Sequence, residues 1–419
     1  MRANAILRGA GLVVAALCFA LQGSVHRVLA QDVGVDVGGS VFRAKNPETK
    51  KKSTTTKPAA TTGTTTTKPG TKPTGNTRVR PNVAERIEDL LEKGNEARDA
   101  RKFSEAEAAY KEILKLKARD ARAAYGLGNI YFDQQRWGDA EAAYRNSVTW
   151  APFEPDAHIA LSVVLVKPGA GGDNAKRFAD AEMLSRRAVQ LDPKNAVAWD
   201  RLGVALQTRG IVNSETEHSY RKAIELDPQF AVAYAHLARV LNKIGKASES
   251  PELYQKATDL AKDPATLNLI AESLQAEQLW PQSEPVLKRA LDLDARNPTS
   301  LLLMGRMLVV YKRYQEAEPF LKSATEVSSR AFQPFNLLGR AYLGMDRYSD
   351  AEATYERAST LAVEGERKQL AGVFGFEGVG DGYLKARQKE NAVRAYQRAL
   401  ELDPANSGAA QKLARAKAN

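Results

Sequence analysis

Residues 124–152, AYGLGNIYFDQQRWGDAEAAYRNSVTWAP, read as an apolar helix, a short polar turn, a second apolar helix and a closing turn that ends in proline. The same layout returns at 198–228, AWDRLGVALQTRGIVNSETEHSYRKAIELDP, and at 375–404, GFEGVGDGYLKARQKENAVRAYQRALELDP. Aligned outward from these three, units begin at residues 87, 121, 155, 196, 231, 264, 298, 332 and 373, a spacing of 33 to 41 residues. A sustained period of that size is the mark of a repeat architecture in which each unit leans on its neighbours.

Columns of residue type run through the units. A small residue stands in the middle of each first helix, as in Gly94, Gly128, Ser162, Gly203, Ala238, Ala271, Gly305, Gly339 and Gly380. Near the start of most second helices comes alanine or serine, such as Ala106, Ala140 and Ala351. Four residues on sits a bulky side chain: Tyr110, Tyr144, Tyr254, Leu287, Leu321, Tyr355 or Tyr396. Two helices joined by a tight turn pack closely only where one is stripped to Gly or Ala at the crossing, and the bulky residue fills the space beside it. Burying one such side chain contributes about 1.5–3 kcal/mol, so several per unit stabilise a stack whose single members would not fold.

These columns make the chain resemble the tetratricopeptide-repeat family over residues 81–406. The resemblance implies an all-α fold, a right-handed α-α superhelix (solenoid) of about nine helix-turn-helix units, and a non-enzymatic scaffold that binds a partner segment in a concave groove lined by the first helices. Helical spacing around the small-residue column then marks the groove positions. Toward the N-terminal units they are apolar, with Tyr125, Asn129, Phe132 and Ile159. Toward units five to eight they are basic and amide-rich, with Arg239, Asn242, Lys243, Asn268, Arg306, Asn336 and Arg340, interrupted by Glu272. Arginine forks favour carboxylates, and amides hold an extended backbone. The expected partner is therefore a protein or peptide segment, apolar at one end and acidic at the other. The family's carboxylate clamp for chaperone tails is not matched, because Leu91, Gly126 and Asp156 occupy its Lys and Asn columns.

The array departs from its own pattern in places. Lys167 to Arg177, KPGAGGDNAKR, lengthens the internal turn of unit three, and with no Gly-Lys-Ser/Thr after it and no strand before it the glycines do not make a phosphate cradle. Unit four slips by one residue near Asn213, and EGERKQLAG extends the link before unit nine. The last first helix holds Gly375, Gly378, Gly380 and Gly382, each expected to cost roughly 1 kcal/mol against alanine. Pro285 and Pro319 fall in the first turns of second helices, where a kink is expected rather than a break. Asn82 with Glu85 opens the first helix as a capping-box pattern, and residues 407–419 are expected to form a charged capping helix.

Ahead of the array, Arg2 and Arg8 precede an apolar run from Gly9 to Leu21, and a small residue, Ala30, marks a cleavage point. Thirteen apolar residues rise about 20 Å as a helix, short of the ~30 Å hydrocarbon core, which favours a removed signal peptide over residues 1–30 to a retained anchor. A lipid-modified Cys18 is disfavoured by Leu17, where a small residue is needed. Residues 31–80 are a Thr/Lys/Pro-rich leader expected to be disordered, because nothing there buries enough apolar area to offset chain entropy. The expected location is the periplasm or cell envelope of a bacterium, as the resemblance implies.

Charge and composition narrow the function class. Of the net charge of +11, residues 1–80 carry 13 basic against 3 acidic residues, while residues 81–419 carry 48 against 47. The array is thus nearly neutral, which argues against specific nucleic-acid binding. The alternative reading has the basic leader touching anionic membrane, cell-wall polymer or nucleic acid, with the array as a spacer. One cysteine excludes an intramolecular disulfide or a cysteine-ligated zinc. His158, His218 and His236 have no partner at ligand spacing, and no nucleophile elbow, zinc helix or phosphate loop occurs, so no enzyme activity, cofactor or metal is expected.

Overall fold

A computed structural model describes residues 46–48, 82–167 and 173–418. The expected signal segment, most of the leader and part of the unit-three insertion lie outside these residues. The described chain is helical throughout its regular structure, and it divides into two compact units at the Arg209–Gly210 link.

The first unit holds Asn46–Glu48 and helices α1 (Val83–Asp99), α2 (Phe103–Leu116), α3 (Ala121–Asp133), α4 (Trp137–Trp150), α5 (Pro155–Leu165), α6 (Asn174–Leu191) and α7 (Ala196–Thr208). The second begins with α8 (Ser214–Leu226), α9 (Ala231–Lys243), α10 (Ser250–Leu260), α11 (Pro264–Ala276), α12 (Trp280–Leu293), α13 (Pro298–Val310) and α14 (Tyr314–Val327). It continues with α15 (Phe332–Gly344), α16 (Tyr348–Ser359), α17 (Glu364–Ala371), α18 (Phe376–Lys385), α19 (Lys389–Leu402) and α20 (Ser407–Ala418). Helices pair in succession: α1 with α2, α3 with α4 and α5 with α6 in the first unit, and α9 with α10 through α15 with α16 in the second. First helices also touch the next first helix, α1 to α3 and α5 to α7 in the first unit and α9 to α11 to α13 to α15 in the second, where they form a continuous layer.

The packing follows the columns. The fully buried Tyr110 ring lies over Gly94 of its own hairpin and Gly126 of the next, where a Cβ would stand 2.8 and 2.5 Å away. Tyr144 covers Gly128, Leu321 covers Gly305, Tyr355 covers Gly339 and Tyr396 covers Gly380 in the same manner. In the slipped fourth repeat, buried Thr216 and Tyr220 take the places of the alanine and the bulky residue. The extra residues there fall in the turn, where Gly210 adopts φ +80° and Asn213 caps α8 by accepting from Glu215 and Thr216 N–H.

The hairpin turns share a device with no glycine signature. Arg101, Gln135, Gln278, Lys312, Asp346 and Arg387 all hold φ between 57 and 63°, and Gly245 holds 82°. Each reverses the chain after a first helix, and the next N–H closes the last turn, as Lys102 does on Ala97 O at 2.8 Å. A left-handed non-glycine residue costs roughly 1–2 kcal/mol, and glycine's extra chain entropy returns only part of that. Lys312→Gly and Gln278→Gly are each expected to raise stability by about 0.5–1 kcal/mol, read from the urea midpoint of the full chain. A lowered midpoint for both would refute the assignment.

Several irregular stretches resolve differently from the sequence expectation. Residues 174–177 of the unit-three insertion are helical, because Asp173 caps α6 by accepting from Ala175 N–H. Arg177 there is buried, donating to Glu141 and to Val164 O. The extension before the last repeat is α17, whose Leu370 and Ala371 are buried and which packs chiefly on α19. As expected, helices α12 and α14 run through Pro285 and Pro319 without a break. Of the glycines expected in the last first helix, Gly375 lies outside it as the N-cap of α18, and all four sit at close approaches: Gly375 and Gly378 against the Leu370 and Val373 carbonyls, Gly380 and Gly382 against Tyr396 and Tyr348.

Candidate partner-binding faces

In several repeats the residue after the small-column position stands fifteen positions before the bulky residue and faces it. In the first repeats it is an amide: Asn95 Oδ1 accepts from Tyr110 Oη at 2.6 Å and Asn129 Oδ1 from Tyr144 Oη at 2.9 Å. In the last repeat Asp381 accepts from Tyr396 at 2.7 Å. These oxygens satisfy hydroxyls that would otherwise be buried unpaired.

In the second unit the same position is Arg239, Glu272, Arg306 and Arg340 on α9, α11, α13 and α15. A guanidinium offers only donors, so it cannot accept a tyrosine hydroxyl. Tyr254 Oη is buried without a hydrogen-bond partner among the described residues, as are Arg239 Nε and Arg340 Nε. Arg239 Nε lies 4.0 Å from Glu277 Oε1, at the outer limit of an ion pair. Arg306 donates twice to Gln275 Oε1, at 3.0 and 2.6 Å, with the Trp280 ring 5.8 Å away. Arg340 stacks on the Phe374 ring at 4.8 Å. Desolvation holds the Arg306 and Arg340 guanidiniums below the ordinary arginine value, with the charge of Glu272 opposing it on the first. Desolvation and then Arg239 hold the Lys243 ammonium below the ordinary lysine value, with Glu277 opposing.

The eleven groove positions separate by unit. Tyr125, Asn129, Phe132 and Ile159 lie in the first unit and are all buried. Tyr125 packs on Tyr144 at 5.7 Å, and Phe132 meets Trp137 edge-on at 5.1 Å. Of the seven in the second unit, Asn268 and Asn336 are buried. Asn268 donates to Asn297 Oδ1 at 3.0 Å and accepts from Ser300 Oγ at 2.7 Å, tying α11 to the start of α13. Arg239, Asn242, Arg306 and Arg340 are half-buried.

A second polar set escapes the column analysis. Arg98, buried in α1, donates to Asp133 Oδ2 at 2.8 Å and to Asn46 Oδ1 at 2.6 Å, while Asn95 Nδ2 donates to Pro47 O at 2.9 Å. Residues 46–48, placed by sequence in the unstructured leader, therefore lie on the first-helix face, with Pro47 buried. No period links positions about fifty residues apart, so nothing in the repeat pattern announces the contact. Among the histidines, His158 Nδ1 bonds Glu154 O at 3.0 Å and His236 packs on Tyr220 at 5.3 Å. Among the described residues no cluster of three or more His, Cys, Asp or Glu is placed to hold a metal, and no helix is long and apolar enough to cross a membrane.

Family models of the tetratricopeptide repeat match residues 91–155, 335–369 and 379–406. No curated protein matches the chain. Among solved structures the chain is similar to MamA, with 23% identity over 40% of this chain and 93% of that chain and a TM-score of 0.35. It is also similar to a chain of the APC/C hetero-tetramer Cut9-Hcn1, with 17% identity over 80% of this chain and 62% of that chain and a TM-score of 0.47. With matched stretches in both compact units and helix hairpins stacked along each, the chain carries tetratricopeptide repeats in both units, within an all-α fold.

Proposed function

We propose that this protein is a non-enzymatic interaction scaffold of the cell envelope, and that the first-helix face of its second unit holds an extended partner segment through that segment's carboxylates. The repeat family supports the scaffold reading, since stacked hairpins mainly offer extended surface. The observation that carries the groove reading is the missing acceptor: Arg239 and Arg340 replace the amide or carboxylate of other repeats, and Tyr254 Oη, Arg239 Nε and Arg340 Nε have no hydrogen-bond partner among the described residues. A half-desolvated guanidinium is costly until an anion meets it, and a bidentate carboxylate restores both charge and hydrogen bonds. Asn242 and Lys243 stand one turn along α9, within reach of the same segment.

The test uses the full chain and an array of acidic peptides. Arg306→Glu with Arg340→Glu is expected to weaken the best binder at least about tenfold, and its affinity for the unaltered chain is expected to fall with added salt. Unchanged binding by the double variant would overturn the assignment. The envelope location rests on the expected signal segment, and N-terminal sequencing of the mature protein checks it, with Gln31 as the expected first residue. The alternative, a basic leader gripping an anionic surface, rests on residues outside the described ones.

A further inference from the structure

The first unit carries a complete recognition set for one short segment. Both ends of the Asn46 side-chain amide are matched: its Oδ1 accepts from Arg98 Nη1 at 2.6 Å, and its Nδ2 donates to Asp99 Oδ1 at 3.0 Å. The next residue's carbonyl, Pro47 O, accepts from Asn95 Nδ2 at 2.9 Å. Each reading group is itself fixed. Tyr110 Oη donates to Asn95 Oδ1, which turns the Asn95 amino group toward Pro47, and Asp133 holds the Arg98 guanidinium at Nε and Nη2.

The chemistry is selective. Aspartate in place of Asn46 would set a carboxylate against Asp99 and forfeit the donated bond. Proline suits the buried second position because it has no N–H to leave unsatisfied there. Such pre-oriented donors and acceptors are what a built peptide site needs.

We propose that this face of the first repeat is a binding site for an extended Asn-Pro segment, and that the chain's own Asn46–Glu48 fills it. An outside segment with the same dipeptide then binds only by displacing the internal one. Thirty-three residues separate Glu48 from Asn82, enough contour to reach the site, and the tether keeps the internal segment at high effective concentration. The proposal concerns the first unit only, and it stands whether or not the cationic face of the second unit binds carboxylates.

The experiment uses the full chain, unaltered and as Asn46→Ala with Pro47→Ala, and a fluorescein-labelled peptide VFRAKNPETKKK copied from residues 41–52. Freeing the site is expected to tighten peptide binding at least about tenfold, because the competent fraction of the unaltered chain is small. The same peptide with Asp for Asn is expected to bind the opened chain at least about tenfold more weakly. Adding Asn95→Ala to the opened chain is expected to abolish binding while the far-ultraviolet helix signal is retained. Equal binding to both chains overturns the internal occupancy. Equal binding of the Asn and Asp peptides overturns the recognition and leaves only attraction of a basic peptide. An unaltered chain that is dimeric and becomes monomeric on opening shows the segment reaching a second copy, and overturns the internal occupancy as well.

Discussion

Tyr110→Ala is expected to cost about 3–5 kcal/mol, the range for deleting a buried aromatic ring. The ring is fully buried between two glycines, Gly94 and Gly126, that belong to successive hairpins. Glycine has no side chain to fall into the space, so the cavity collapses poorly and the cost lies toward the upper end. Asn95 also loses the hydroxyl that orients it. Tyr110→Phe separates the two effects, since it keeps the ring and is expected to cost about 1–2 kcal/mol through the unpaired Asn95 oxygen. Coupling in a stack of repeats passes between neighbours. Hydrogen exchange is therefore expected to accelerate in α1 to α3 and to stay unchanged in α13 to α19. Acceleration spread evenly over both units would show that the ring is not a local staple.

Gly375→Ala is expected to be the other severe change, at about 3 kcal/mol or more. A Cβ there meets the Leu370 carbonyl, with the carbonyl carbon at 2.6 Å and the Leu370 Cα at 2.9 Å. A tyrosine ring facing an added methyl can tilt, whereas these backbone atoms end α17 and move only if the helix moves. Leu370 and Ala371 are buried, so that shift opens the packing of α17 on α19. Gly365→Ala, in the same short helix with nothing within 4 Å, is the control and is expected to stabilise by about 0.5–1 kcal/mol. Thermal unfolding of the two variants beside the unaltered chain reads the contrast. Similar melting of both would refute the close-approach account.

These two positions also show where reading residues in a line falls short. The repeat period and the columns at Gly94, Gly128, Gly339 and Tyr355 are legible because the same contact recurs at the same spacing. The four glycines near Gly380 look like a run of helix weaknesses when counted singly, yet each faces a neighbour that leaves no room for a side chain. The left-handed turn residues are hidden because Arg101, Gln135 and Lys312 carry no conformational preference that marks them. The helix over Glu364–Ala371 is hidden because its buried residues, Leu370 and Ala371, are few and its charges many. Of the groove positions, Asn129 and Asn268 sit where helical spacing puts them on the first-helix layer, but their amides already serve Tyr144, Asn297 and Ser300.

Local spacing along the chain was enough to write the order of hairpins, their crossing residues and the rings that fill them, because those contacts join positions within about one repeat of each other. Which polar groups remain open to a partner was settled only by packing. Arg98 finds Asn46 52 positions away. A side chain's freedom depends on what a neighbouring hairpin or a distant segment such as Asn46–Glu48 brings beside it. That is a property of three-dimensional proximity which no period in the chain encodes.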